Sequence, residues 1–204
     1  MRQFGIFGGT FDPVHWGHLL VAETALRQVP LEQIIWVPSY NPPHKQAALF
    51  EHRIEMVQQA IAGNSEFVVS LIERNRSGTS YAINTLLDLS AFSPNIHWYW
   101  IVGLDTFKTL PYWYRRHELA KMCDWLIAPR FPSGENIAES EFVCQKVEQQ
   151  LKLESISIRW YLLHIPLVGV SSSLIRNLSG EGKSIRYLVP ESVRNYIATH
   201  NLYN

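Results

Sequence analysis

Cysteine is almost missing from this chain. Two occur in 204 residues, Cys123 and Cys144, and they stand in no metal-ligand spacing. That excludes a disulfide-stapled scaffold and predicts reduced thiols. An excess of charge is missing too: Lys+Arg and Asp+Glu both number 18. A neutral balance argues against a nucleic-acid partner, although a local basic pocket for a small polyphosphate remains compatible with it. No apolar run approaches the length of a membrane span. The opening "MRQFGIFGG" has one early positive charge and too short an apolar run for a signal peptide. The expectation is a cytoplasmic protein with no membrane partner; a homo-oligomer stays open. Internal repeats and low-complexity segments are absent as well.

What is present is apolar and aromatic material, 47% and 12% of the residues, enough to bury one sizeable core. One domain over residues 1–204 is therefore expected. Short apolar runs alternate with amphipathic ones. Strands are predicted over residues 3–8, 33–38, 66–71, 96–103, 123–129 and 158–165. Helices are predicted over 16–29, 52–61, 82–89 and about 190–200, the last with Pro190 in its first turn. Strands separated by helical patterns mean βαβ units and an open, mostly parallel sheet with helices on both faces. Burial on both faces explains continuous runs such as "IIWV". A small helical part closes the chain. Residues 131–140, "FPSGENIAES", read as a loop.

In such a sheet, ligands bind beyond the carboxyl ends of the strands. The most unusual stretches fall there: "GGTFDPVHWGH", "PSYNPPHK", "GLDTF" and "VSSSLIR". In the first, Gly8 and Gly9 allow positive φ and close backbone approach, and Asp12-Pro13 signals a turn. A helix then starts near Trp16, with free N–H groups suited to phosphate. His15 and His18, three apart, share a helical face. The familiar phosphate loops GxxxxGK[ST] and GxGxxG are both missing. A zinc site needs a third ligand, and HExxH spaces its histidines four apart with Glu where Trp16 stands. Taken singly, either histidine reads more plainly as a cap or packing residue. Together with the glycines and the turn, they read as a polyphosphate site.

The pattern GxFDPxHxGH, carried by Gly9, Phe11, Asp12, Pro13, His15, Gly17 and His18, resembles the signature of the HxGH nucleotidylyltransferases, which have a Rossmann-like domain. The later stretches, including "SGTSYAINTL", "GLDTFKTLPYW" and "YLVPESVRNYI", resemble in order the bacterial nicotinate mononucleotide adenylyltransferases over nearly the whole chain. Phosphopantetheine adenylyltransferases share the first motif, but are shorter and usually carry Thr in place of His15. The resemblance implies adenylyl transfer from ATP, with Mg2+, to nicotinate mononucleotide.

It also implies roles. His15, His18 and Arg176 would be catalytic. Gly8, Gly9, Thr10, Gly17, His44, Lys45, Gly103, Asp105, Ser171 and Ser172 would bind ATP. Ser80, Tyr81, Ala82, Trp113 and Tyr114 would bind the mononucleotide, with no protein metal ligand. Plainer readings exist: Asp105 as a helix cap, Lys45 on a solvated loop, Trp113 as core. Ala82 departs from the family's usual Ser-Tyr-Thr, and removes a hydroxyl thought to help hold the nicotinate carboxylate. Nicotinamide mononucleotide or another small phosphate is thus the alternative acceptor. A nucleotide sensor without catalysis is the alternative outside enzymes.

Overall fold

In the computed structural model, residues 1–42, 47–74, 76, 78–92, 95–129, 137–166 and 168–204 are described. In chain order the elements are β1 (Arg2–Gly9), α1 (Trp16–Gln28), β2 (Gln33–Pro38), α2 (Phe50–Ile61), β3 (Phe67–Val69), α3 (Ala82–Phe92) and β4 (Ile96–Gly103). They continue with α4 (Leu104–Phe107), a 3-10 turn (Leu110–Tyr112), α5 (Arg116–Met122), β5 (Cys123–Ala128), α6 (Ile137–Leu153), β6 (Trp160–Leu162), α7 (Ser172–Gly180) and α8 (Glu191–Thr199). The strands form one parallel sheet in the order β3-β2-β1-β4-β5-β6. The order reverses between β1 and β4, so the crevice beyond their carboxyl ends is where a ligand has room.

Alternation along the central strands feeds two cores. Phe4 and Ile6 of β1 and Trp98, Trp100 and Val102 of β4 point to one face, where α3, α4, α5 and α6 cover them. Phe7, Tyr99 and Ile101 point to the other, under α1, α2, α7 and α8. Full coverage is why these strands read as unbroken apolar runs. Among the described residues no helix is long and apolar enough to cross a membrane.

The structure departs from the sequence reading in several places. The edge strands β3 and β6 pair on one side only and are shorter than predicted. Part of the expected loop at 131–140 is the start of α6; residues 131–136 lie outside those described. The buried stripe of α6, Ser140, Cys144, Val147 and Leu151, has helical spacing but too few apolar residues to stand out in the sequence. Pro190 caps α8 rather than entering its first turn.

Candidate active site

The loop from β1 to α1 is built by close packing rather than by flexible glycines. Gly8 and Gly9 lie within extended β1, and neither has positive φ; that conformation falls on Phe11 instead, at φ 50°. This corrects the expectation for the two glycines. Their lack of a side chain makes room: a Cβ on Gly9 would stand 2.9 Å from the buried Phe11 ring, and one on Gly8 would stand 3.3 Å from Trp100. The Asp12-Pro13 bond is cis. His15 then caps α1 in extended conformation. The backbone N–H of His15 donates to His18 Nδ1 at 3.2 Å. Their rings stack with centroids 3.7 Å apart, and the Phe11 ring stands edge-on to His18 at 5.1 Å. Gly17 sits behind the pair. A Cβ there would come within 3.0 Å of His15 Cε1 and Nδ1 and 3.1 Å of Val170.

The "VSSSLIR" stretch docks onto this same loop. Ser171 caps α7, its hydroxyl accepting from the Leu174 N–H at 3.2 Å. Ser172 donates its hydroxyl to the Pro13 carbonyl at 2.9 Å. Arg176 donates from Nη1 to the Asp12 carbonyl at 2.7 Å, leaving part of its guanidinium facing outward. From the other side Arg53, only 2% exposed, donates to the carbonyls of Thr10 at 2.8 Å and Ala48 at 2.9 Å. Burial lowers the Arg53 pKa, and the Asp12 charge opposes that shift. The Asp12 carboxylate, itself buried, accepts from the Tyr203 hydroxyl at 2.7 Å and the Ala48 N–H at 3.3 Å. Burial, then the hydrogen bond to Asp12, pushes the Tyr203 phenol well above its ordinary range. The carbonyls of Thr10, Asp12 and Pro13 are therefore all held by side chains from distant helices.

Across the switch point, Gly103 ends β4 and caps α4; a Cβ there would meet nothing within 4 Å. Asp105 lies exposed in the first turn of α4, 3.5 Å from Lys108 Nζ. At the start of α3, Ser80 is tied to the loop after β2. Its hydroxyl accepts from the Asn41 N–H at 3.1 Å, and its own N–H donates to the Asn41 carbonyl at 3.1 Å. Buried Glu73 reinforces that joint, accepting from the Tyr40 N–H at 3.1 Å and the Thr85 hydroxyl at 2.5 Å. Ala82 begins α3, whose first N–H groups have no intrahelical acceptor. Tyr81 and Tyr114, both exposed, face each other with ring centroids 4.7 Å apart. Trp113 instead leans into the core, 5.8 Å from Trp125, with its N–H donating to Thr109 Oγ1 at 2.9 Å. The expected ATP ligands His44 and Lys45 lie outside the described residues.

The sequence reading missed Arg53, Glu73 and Tyr203, and gave Asp12 a turn and a place in the motif but no role in holding the site. Arg53 carried a signal: it stands in the apolar stripe of α2 with Phe50, Ile54 and Val57, where an unpaired charge is rarely tolerated. Glu73 and Tyr203 carried none.

Comparison with known proteins places the chain in a family and matches its fold. The model of the family described as cytidylyltransferase-like matches residues 6–178. A protein of Nostoc sp., described as a probable nicotinate-nucleotide adenylyltransferase, is 67% identical over 204 residues, covering 100% of this chain and 98% of that protein. One of Lachnoclostridium phytofermentans with the same description is 38% identical, covering all of both chains. Among solved structures, the nicotinic acid mononucleotide adenylyltransferase of Plasmodium falciparum complexed with NaAD shares the fold. Its TM-score is 0.79 at 20% identity, over 100% of this chain and 98% of that one.

Proposed function

This chain belongs to the cytidylyltransferase-like family, and from that premise we propose how its residues divide the work of nucleotidyl transfer. The protein is a nucleotidyltransferase that moves the adenylyl group of ATP to nicotinate mononucleotide, giving nicotinate adenine dinucleotide and pyrophosphate in NAD biosynthesis. A phosphate oxygen of the mononucleotide attacks the α-phosphorus of ATP in line. A new O–P bond forms as the bond from the α-phosphorus to the bridging oxygen breaks, and pyrophosphate departs with that electron pair. The attacking phosphate is already ionised at neutral pH, so no strong base is required. Positioning and stabilisation of the developing charge carry the rate.

We assign those tasks as follows. The backbone of Gly8, Gly9 and Thr10 lines the triphosphate. His15 and His18, at the positive end of α1, donate hydrogen bonds to the phosphates and to the leaving pyrophosphate. The outward part of the Arg176 fork and the first turn of α7, with Ser171 and Ser172, meet the β and γ phosphates. Gly103 leaves space for the nucleoside, and Asp105 accepts from its ribose. Among the described residues there is no group of three His, Cys, Asp or Glu side chains that suits a metal. Magnesium would enter with the substrate as MgATP, where phosphate oxygens and water suffice to hold it. The pyridine ring lies by Tyr81, Tyr114 and Trp113, and the N-terminal N–H groups of α3 at Ala82 face its carboxylate.

The observation that carries this reading is the stacked His15–His18 pair at the first turn of α1, joined through Asp12 to Arg176. The test is pyrophosphate release from MgATP with each pyridine mononucleotide. Nicotinate mononucleotide should be the better acceptor, and His18→Ala should lose several orders of magnitude in kcat while staying folded. A tenfold or greater preference for nicotinamide mononucleotide, which the missing hydroxyl at Ala82 favours, would sink the acceptor assignment. No release with any mononucleotide would leave a nucleotide sensor.

A further inference from the structure

After α8 the chain turns back on itself. Asn201 and Tyr203 stand in the left-handed region at φ 49° and 68°, which bulky L-residues rarely occupy. Leu202 between them packs against the core under α8. The turn brings the Tyr203 hydroxyl across 191 residues to Asp12 Oδ1, at 2.7 Å. Phe11, just before Asp12, is left-handed too. Backbone strain of this kind persists only where surroundings over-determine it, and it gathers at functional sites.

Each oxygen of Asp12 has one donor from a different part of the chain. Arg176 donates to its carbonyl, Tyr203 to Oδ1 and the Ala48 N–H to Oδ2. Three residues later stands His15, stacked on His18. Asp12 therefore ties Arg176 and Tyr203 to the loop that carries both histidines. Arg176 Nη1 lies 3.9 Å from Asp12 Oδ2, too far for a hydrogen bond. The carboxylate, 4% exposed, would draw that guanidinium closer if the phenol no longer donated to it.

We propose that Tyr203 is a positioning residue for adenylyl transfer. Its hydroxyl satisfies the Asp12 carboxylate, so that the loop keeps the histidines in register and the outward part of the Arg176 fork stays available to phosphate. The inference rests on the reading of the site under Proposed function. Tyr203 touches no reacting atom and acts only through Asp12.

Tyr203→Phe keeps the ring and removes the O–H. Pyrophosphate release is measured at a temperature where both proteins are fully folded by circular dichroism. The imidazole Cε1–H resonances of His15 and His18 are followed by NMR without substrates. The expected result is a kcat lower by roughly tenfold, KM for both substrates within threefold of wild type, and shifted or broadened His15 and His18 resonances. A chain ending at Leu202 should show the same kcat loss, and one ending at Tyr203 should not. A kcat within twofold of wild type overturns the proposal whatever happens to Tm, because a purely structural staple predicts that outcome. A loss confined to KM overturns it as well. If the wild-type protein is inert toward nicotinate mononucleotide, the function reading falls separately. The imidazole spectrum then decides alone, and unchanged resonances in Tyr203→Phe refute the positioning role.

Discussion

Replacing Gly17 by alanine tests whether the site depends on clearance behind His15. The added Cβ would lie 3.0 Å from His15 Cε1 and Nδ1 and 3.1 Å from Val170 Cγ1. Relaxed carbon contacts begin near ~3.5 Å, so the ring must give way by about 0.5 Å. The same ring is stacked on His18 at a centroid distance of 3.7 Å, so moving it also disturbs that stack. Overpacking of this kind costs about 1–3 kcal/mol. Alanine returns about 1 kcal/mol through its better helix propensity, so the net loss of stability is small, roughly 0–2 kcal/mol. Catalysis should suffer more. A misplacement of ~1 Å costs on the order of 10²-fold, and half of that displacement corresponds to roughly tenfold in kcat. Steady-state pyrophosphate release and thermal denaturation of the same sample make the comparison. A variant with kcat within twofold of wild type, or one whose activity loss merely follows its unfolded fraction, would refute the reasoning.

Three further outcomes are expected. Arg53→Met should strip donors from the Thr10 and Ala48 carbonyls; leaving two such groups unpaired costs about 2–6 kcal/mol, read as a lower urea midpoint at unchanged slope. Ala82→Thr, which restores a hydroxyl at the start of α3, should raise the nicotinate-over-nicotinamide ratio of kcat/KM by about tenfold or more, the equivalent of one hydrogen bond to a charged group. A ratio that stays put would show that the α3 backbone alone reads the carboxylate. Alkaline stability should fall because burial raises both thiols above their ordinary 9.0, Cys144 to about 12 and Cys123 further. In the folded state they stay protonated while the unfolded chain ionises, so their contribution is complete below about pH 9 and lost as pH rises above it. Two such groups forfeit ~2–3 kcal/mol between about pH 8 and 10. Urea titrations at the two pH values should show that drop, and Cys123→Ala with Cys144→Ala should largely remove it.

Much of the fold was legible because its signals are local. The unbroken apolar strands report burial on both faces. The helical spacing of α1 and α2 sets which residues meet the sheet, and both central strands fall where the sequence puts them. Signals failed where locality failed. The mostly polar α6 shows its buried stripe only against a sheet face. Edge strands end where a partner ends, which no single strand records.

The site divides along the same line. By itself the sequence determined the HxGH pair, the serine-rich stretch before Arg176 and their common position beyond parallel strands, because each depends on residues a few positions apart. Only the tertiary structure decided what holds them. Positive φ fell on Phe11, whose ring fills the side-chain space that Gly9 leaves open. Gly17 keeps that place because His15 fills the space where its Cβ would stand. Asp12 became a joint because Arg176, Ala48 and Tyr203, up to 191 residues away, bring donors to its three oxygens. Such a contact is set by the path of the chain through space, and no spacing along the sequence encodes it.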